Sequence, residues 1–184
     1  MTHPLVAFFS KIPLFAQLTT DEMGELIRAI QPVQLNEGDF LFKEGDPADA
    51  AFVVQSGELN IYLDRPEGRV ELSVIGPEAI LGEITLIEGG KRSATARAIR
   101  ACSLFRLDKT EFDFLRRNFR PVAYKLMKEI ALTVCARLRD TNQLIQNQWQ
   151  PKDAETDGPA PTEQDSETLE QTGLLKRLKF WKNS

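Results

Sequence analysis

Within Leu81–Ala98, which reads LGEITLIEGGKRSATARA, an acid and a base stand nine residues apart, Glu83 and Arg92, on either side of a short apolar turn. A partly buried guanidinium can meet an anion with paired, charge-assisted hydrogen bonds, and a carboxylate can accept from a hydroxyl. The plainer alternative is a structural ion pair between the two. Gly82 lets the backbone approach a ligand closely, and amides at the start of a turn, at Glu83 and Ile84, are anion donors. Ser93 offers one further hydroxyl, followed by the small Ala94. Little else in the chain offers chemistry. The single histidine, His3, cannot build a metal-binding cluster, and no nucleophile is placed with a base, so neither an enzyme nor a cofactor or metal site is expected. Cys102 and Cys135 each sit in an apolar pattern and read as reduced core thiols.

The elements that must position Glu83 and Arg92 follow from the periodicities on either side. The first thirty residues have helical spacing, with Thr19, Thr20, Asp21 and Glu22 forming a capping-box start ahead of Met23, Leu26, Ile27 and Ile30. This predicts two short helices over 5–31. From 32 to 108 the period changes to two: Leu59, Ile61 and Leu63 alternate with Asn60 and Tyr62, and Val70, Leu72 and Val74 with Glu71 and Ser73. Glycines and prolines punctuate this stretch at the intervals of a compact all-β sandwich, barrel or jelly roll.

Helical spacing returns over 109–149. A short helix holds Phe112, Leu115 and Phe119, and a longer one starts at Pro121. Met127, Ile130, Val134, Thr141 and Leu144 form one stripe of the longer helix and Tyr124, Ala131, Leu138 and Ile145 another, which suits both its own roll and a partner helix in a homodimer. Arg137 interrupts the first stripe.

A chain of 184 residues supports one folded unit plus a tail. Its 42% hydrophobic and 27% charged residues are average for a globular protein, and a net charge of -4 gives no general pull toward nucleic acid. The apolar stretch Leu5–Leu18 is interrupted by Ser10, Lys11 and Pro13 and reads as folded structure, not a signal peptide. No apolar run reaches the roughly 18 residues of a membrane span, so a cytoplasmic protein is expected. Residues 151–173 hold seven acids and one lysine and read as a disordered linker. Residues 174–184 reverse the sign, with Lys176, Arg177, Lys179 and Lys182 among Leu174, Leu175, Leu178, Phe180 and Trp181. Three readings of that tail stay open: an anionic membrane surface at the inner face, a docking groove on a partner protein, or an inert end.

The segment with Gly82, Glu83, Arg92, Ser93 and Ala94 resembles the phosphate-binding cassette of cyclic-nucleotide-binding domains of the catabolite activator and kinase A regulatory subunit type. Lys11–Phe15 (KIPLF), Asn36–Asp49 (NEGDFLFKEGDPAD) and Val53–Tyr62 (VVQSGELNIY) match the same family, so the resemblance covers about 150 residues. It departs from the family at Lys91, where many members have proline, and at Leu81, where an aromatic is frequent.

The resemblance implies an α+β fold: an eight-stranded antiparallel β-roll, or jelly roll, with N-terminal helices and a long C-terminal helix, over residues 1–150. It implies a 3′,5′-cyclic nucleotide ligand, cyclic AMP with cyclic GMP left open, held at Gly82, Glu83, Ile84, Arg92, Ser93 and Ala94. Arg92 would clamp the phosphate and Glu83 the ribose 2′-hydroxyl. The segment Val134–Leu144 resembles the family's lid helix and puts Thr141 and Asn142 where base contacts arise. It further implies a regulatory protein signalling through that helix; the alternative is a scaffold that keeps the fold without the ligand. The acidic linker begins where the activator branch carries its helix-turn-helix, so direct DNA binding is not expected.

Overall fold

The computed structural model describes residues 4–148. Helix α1 (Pro4–Phe9) and a 3₁₀ turn (Pro13–Phe15) lead to α2 (Thr20–Ala29). The capping box forms as its residues predict: Thr19 Oγ1 accepts from the Glu22 amide, and the Glu22 carboxylate accepts from the Thr19 amide at 2.7 Å. Eight strands follow: β1 (Ile30–Leu35), β2 (Phe40–Phe42), β3 (Ala50–Ser56), β4 (Leu59–Arg65), β5 (Gly68–Ile75), β6 (Ile80–Leu81), β7 (Thr95–Ala98) and β8 (Cys102–Asp108). They pair antiparallel in two sheets, ordered β1-β8-β3-β6 and β2-β7-β4-β5. Helices α3 (Lys109–Arg117) and α4 (Pro121–Gln148) close the described part.

The first strand starts at Ile30, two residues ahead of its expected place, because this β-branched residue already pairs with Leu107. The chain divides into two units, Met1–Thr141 and Asn142–Ser184, the second described only to Gln148, as helix. The expected linker and tail lie outside the described residues.

Strand β3 shows how one sheet serves two cores. Ala50, Phe52 and Val54 pack between the sheets with Leu59, Ala98, Cys102 and Leu104, whereas Ala51 and Val53 face the helices, with Phe9, Phe15, Leu26, Phe105, Leu126 and Ile130. Both faces being covered, Ala50–Val54 is buried without a break. Strand β5 behaves differently. It is the edge of its sheet, and Val70, Leu72 and Val74, the apolar members of its alternation, are 48%, 52% and 60% exposed. A register shift between Ile61 and Tyr62 interrupts the alternation across β4 and β5. Tyr62, which alternates with Leu59, Ile61 and Leu63, is 1% exposed, with Arg69 over its ring, 3.8 Å from the centroid.

On α4, Leu126 and Ile130 are buried, while Tyr124, Leu132 and Leu138 are exposed. Cys135 is exposed as well, which corrects its reading as a core thiol; Cys102 is buried. Side chains of α2 tie down the start of α4: Lys125 donates to Glu22 at 2.7 Å and Arg120 pairs with Glu25.

Helix α3 stops in a paired turn, with the Phe119 amide bonded to the Arg116 carbonyl at 3.1 Å and the Arg120 amide to that of Leu115 at 2.9 Å. Phe119 there has φ 54°, a conformation usually left to glycine or asparagine. A β-carbon in that region costs about 1–2 kcal/mol, partly offset by the chain entropy that glycine adds to the unfolded state. Phe119→Gly should therefore raise stability by up to about 1 kcal/mol in equilibrium urea unfolding.

Glu22, Glu25 and Asp113 all titrate below ordinary carboxylates, chiefly because Lys125, Arg120 and Lys109, respectively, hydrogen-bond to them. A carboxylate with a lowered folded-state pKa stabilises fully above its unfolded value, and that stability drains as pH falls through the folded one. Urea midpoints measured between about pH 6 and pH 3 should therefore fall on the acid side, and Lys125→Met should flatten that fall by removing the largest part of the share of Glu22, its bonds to Thr19 remaining.

Candidate ligand-binding site

The turn after β6 is built around Gly82, which stands at φ 69° ahead of a 3₁₀ turn, Glu83–Leu86. A β-carbon at Gly82 would collide with Arg92 Nη1 and come within 3.2 Å of the Ala50 carbonyl oxygen. The glycine is therefore what allows the guanidinium to lie against the backbone. The amides of Glu83 and Ile84 precede the first bond that closes the turn, from the Thr85 amide to the Gly82 carbonyl at 3.1 Å.

Arg92 is 6% exposed. Its backbone is fixed by bonds at 2.9 Å from its amide to the Asp46 carbonyl and from the Gly45 amide to its own carbonyl. Its guanidinium stacks 4.3 Å from the centroid of the Phe42 ring and 5.4 Å from that of Phe52. Nη2 lies 3.5 Å from Asp49 Oδ1, while Nε and Nη1 are buried with no hydrogen-bond partner. Asp49 is itself shared with Arg106 at 2.9 Å, and Arg106 donates to Asp108 at 2.7 Å. Burial pulls the Arg92 pKa below the ordinary arginine value, and Asp49 pulls it back in part.

Glu83 does not pair with Arg92. Its side chain is buried, and Oε1 accepts from Arg137 Nη1 at 2.7 Å, which ties the turn to α4. Gly82, Glu83, Ile84, Arg92, Ser93, Ala94 and Arg137 line one hollow of about 510 Å³. Its apolar wall includes Phe42, Ile61 and Ile75, with Ser73 among them; Glu88 and Lys91 are further lining residues. Lys91 is exposed and has no ion-pair partner among the described residues. The arrangement can hold a small anion against Arg92 and accept a hydroxyl at Glu83, with apolar surface for a flat group.

Six of the eight expected residues thus share one hollow. Thr141 does not line it: its side chain is exposed and its hydroxyl donates to the Arg137 carbonyl, 2.8 Å away. Asn142 is exposed and begins the second unit. Sequence reasoning missed Arg137, whose signal was a lone cation interrupting an apolar stripe, and Ser73, which alternation placed outside. Asp49, the last residue of Asn36–Asp49, carries no local signal of its role beside Arg92. Among the described residues no cluster of metal-ligating side chains occurs, and no helix is long and apolar enough to cross a membrane.

Gly82→Ala should drive the guanidinium from its seat. The added clash and the left-handed backbone together should cost roughly 2–4 kcal/mol, read by urea unfolding.

A family model described as a cyclic nucleotide-binding domain matches residues 32–119. The N-terminal domain of a transcriptional regulator from Streptomyces coelicolor A3(2) is similar in structure, with TM-score 0.64 and 34% identity, over 80% of this chain and 99% of that one. A cyclic nucleotide-binding domain from Methylobacillus flagellatus matches with TM-score 0.66 and 26% identity, over 79% and 83% of the two chains. A CRP-like cAMP-activated global transcriptional regulator of Mycobacterium tuberculosis is 28% identical over 132 residues, 70% of this chain and 56% of that protein. The aligned part spans as little as 7% of other curated relatives.

Proposed function

This chain belongs to the cyclic nucleotide-binding domain family, and on that footing we propose that it is a cyclic-nucleotide receptor whose ligand, cyclic AMP in the first instance, sits in the hollow between Arg92 and Glu83. The observation that carries the reading is the buried guanidinium with two nitrogens unpartnered. Leaving a buried donor without an acceptor costs about 1–3 kcal/mol, and a cyclic phosphate supplies both the missing acceptors and the missing charge. Amides of Glu83 and Ile84 and the Ser93 hydroxyl are further donors to the same phosphate, with Gly82 and Ala94 leaving it room.

Glu83 already serves Arg137 with one oxygen. A carboxylate has a second, which on this reading accepts the ribose 2′-hydroxyl, so the sugar and α4 share one anion. Thr141 donates to the Arg137 carbonyl and so offers a base only its lone pairs, as an acceptor, and Asn142 stands as a base contact on resemblance alone. Cyclic AMP is preferred over cyclic GMP on the likeness to cAMP-activated relatives. Output then runs through α4, whose exposed Tyr124, Leu132 and Leu138 suit a second copy of the chain. Residues 151–173 and 174–184 follow as linker and as a contact for a protein or an anionic membrane. The domain is a regulatory module of the cytoplasm, without catalysis or direct DNA contact of its own.

Calorimetry on the full chain with both nucleotides tests the reading. Wild type should bind at least one, Arg92→Ala should lose roughly 2–5 kcal/mol of that affinity, and a 2′-deoxy analogue should bind more weakly. A wild-type protein indifferent to both nucleotides would leave the fold as a scaffold. Arg137→Met should retain binding but lessen the ligand-induced change in amide exchange along α4.

A further inference from the structure

The corner where α3 meets α4 shares no residue with the hollow and carries the most exposed aromatic side chain among the described residues. Phe119 is 80% exposed, Phe114 61% and Tyr124 45%, while Phe112 and Leu115 of the same segment fill the core. The helix stop itself does not account for Phe119. Its two closing bonds are backbone to backbone, and at φ 54° glycine or asparagine would satisfy them with less strain. A ring is instead held in water at a conformational cost.

Charge adds a second, independent observation. From Phe114 to Lys128 the chain has five cations, Arg116, Arg117, Arg120, Lys125 and Lys128, and no acid, in a protein of net charge -4. Arg116, Arg120 and Lys125 are paired with Asp113, Glu25 and Glu22. Arg117 and Lys128 are exposed and have no ion-pair partner among the described residues.

Protruding rings with exposed cations in the same segment, Arg117 beside Phe114 and Lys128 further along α4, match the headgroup region of an anionic bilayer, where aromatics enter the boundary with the acyl chains and Lys or Arg meet lipid phosphates. An acidic protein would satisfy the cations but would have to bring its own cavities for the rings. The depression beside Phe114 is shallow and otherwise polar, lined by Thr110, Glu111, Arg117 and Asn118. A fluid surface accepts the rings without a preformed groove. We infer that the α3–α4 corner docks on the surface of an anionic membrane, with Phe114 and Phe119 inserted and Arg117 and Lys128 against lipid phosphates.

Co-sedimentation of the full chain with phosphatidylcholine vesicles, with and without phosphatidylglycerol, tests this. Wild type should bind the anionic vesicles, less so at high salt, and leave the neutral ones in comparison unbound. The double variant Phe114→Ser, Phe119→Asn should bind at least about tenfold more weakly, while its melting temperature stays level or rises because asparagine suits the turn. No binding by wild type, equal binding to neutral vesicles, or undiminished binding by a folded double variant would overturn the inference; the last would assign the membrane contact to another part of the chain.

Discussion

A buried guanidinium without its full set of acceptors is the constraint around which this roll is arranged. Withdrawing a charge from water costs several kcal/mol even after relaxation, and Arg92 recovers only part of it. Asp49 lies at a long 3.5 Å from Nη2 and is more than half exposed. What keeps the side chain in place is mechanical as much as electrostatic. Phe42 and Phe52 form its floor, the bonds of Gly45 and Asp46 fix its backbone, and Gly82 has no β-carbon to push it away. These residues come from both sheets and from the turn between them. The guanidinium is thus assembled by the whole roll, and its position reports on the fold.

Much of this is local in sequence, which is why it could be read there. Gly82, Glu83 and Arg92 lie within eleven residues, so their types and spacing survive any uncertainty about the surrounding topology. Helix starts are equally local, and the Thr19 to Glu22 capping box formed as written. Arg137 is 54 residues from Glu83, and nothing in its neighbourhood distinguishes a cation that reaches back to a turn from one that spoils a seam. Its meaning resides in tertiary contact.

Faces proved harder than periods. Alternation in β5 signals a strand but cannot say which side is covered, and an edge strand next to a register shift leaves Val70, Leu72 and Val74 in water while Ser73 lines the hollow. Cys135 failed for the same reason on a helix: an apolar neighbourhood along the chain is not a buried one in space. Phe119 is the sharpest instance. Helical spacing placed it on one short helix with Phe112 and Leu115, yet α3 ends two residues before it, and the left-handed turn rotates it out.

The two charged arms of the hollow differ in what they touch, and this decides how a bound ligand could be reported. The partners of Arg92 are Phe42, Phe52, Asp49 and, through it, Arg106 and Asp108, all in or beside strands. None belongs to α4. Glu83, by contrast, is held by Arg137 from that helix. Coupling between a ligand and a distant surface requires an element with two arrangements that both sites bias. On the proposed reading, Arg92 therefore sets affinity, while the carboxylate that ligand and helix share gives a polar route to α4, beside the packing of Leu86 in the core that holds Leu126 and Ile130. A second donor, the ligand's hydroxyl, draws on the same carboxylate and so changes the charge density offered to Arg137. Thr141, one turn further along α4, donates to the backbone carbonyl of that same arginine.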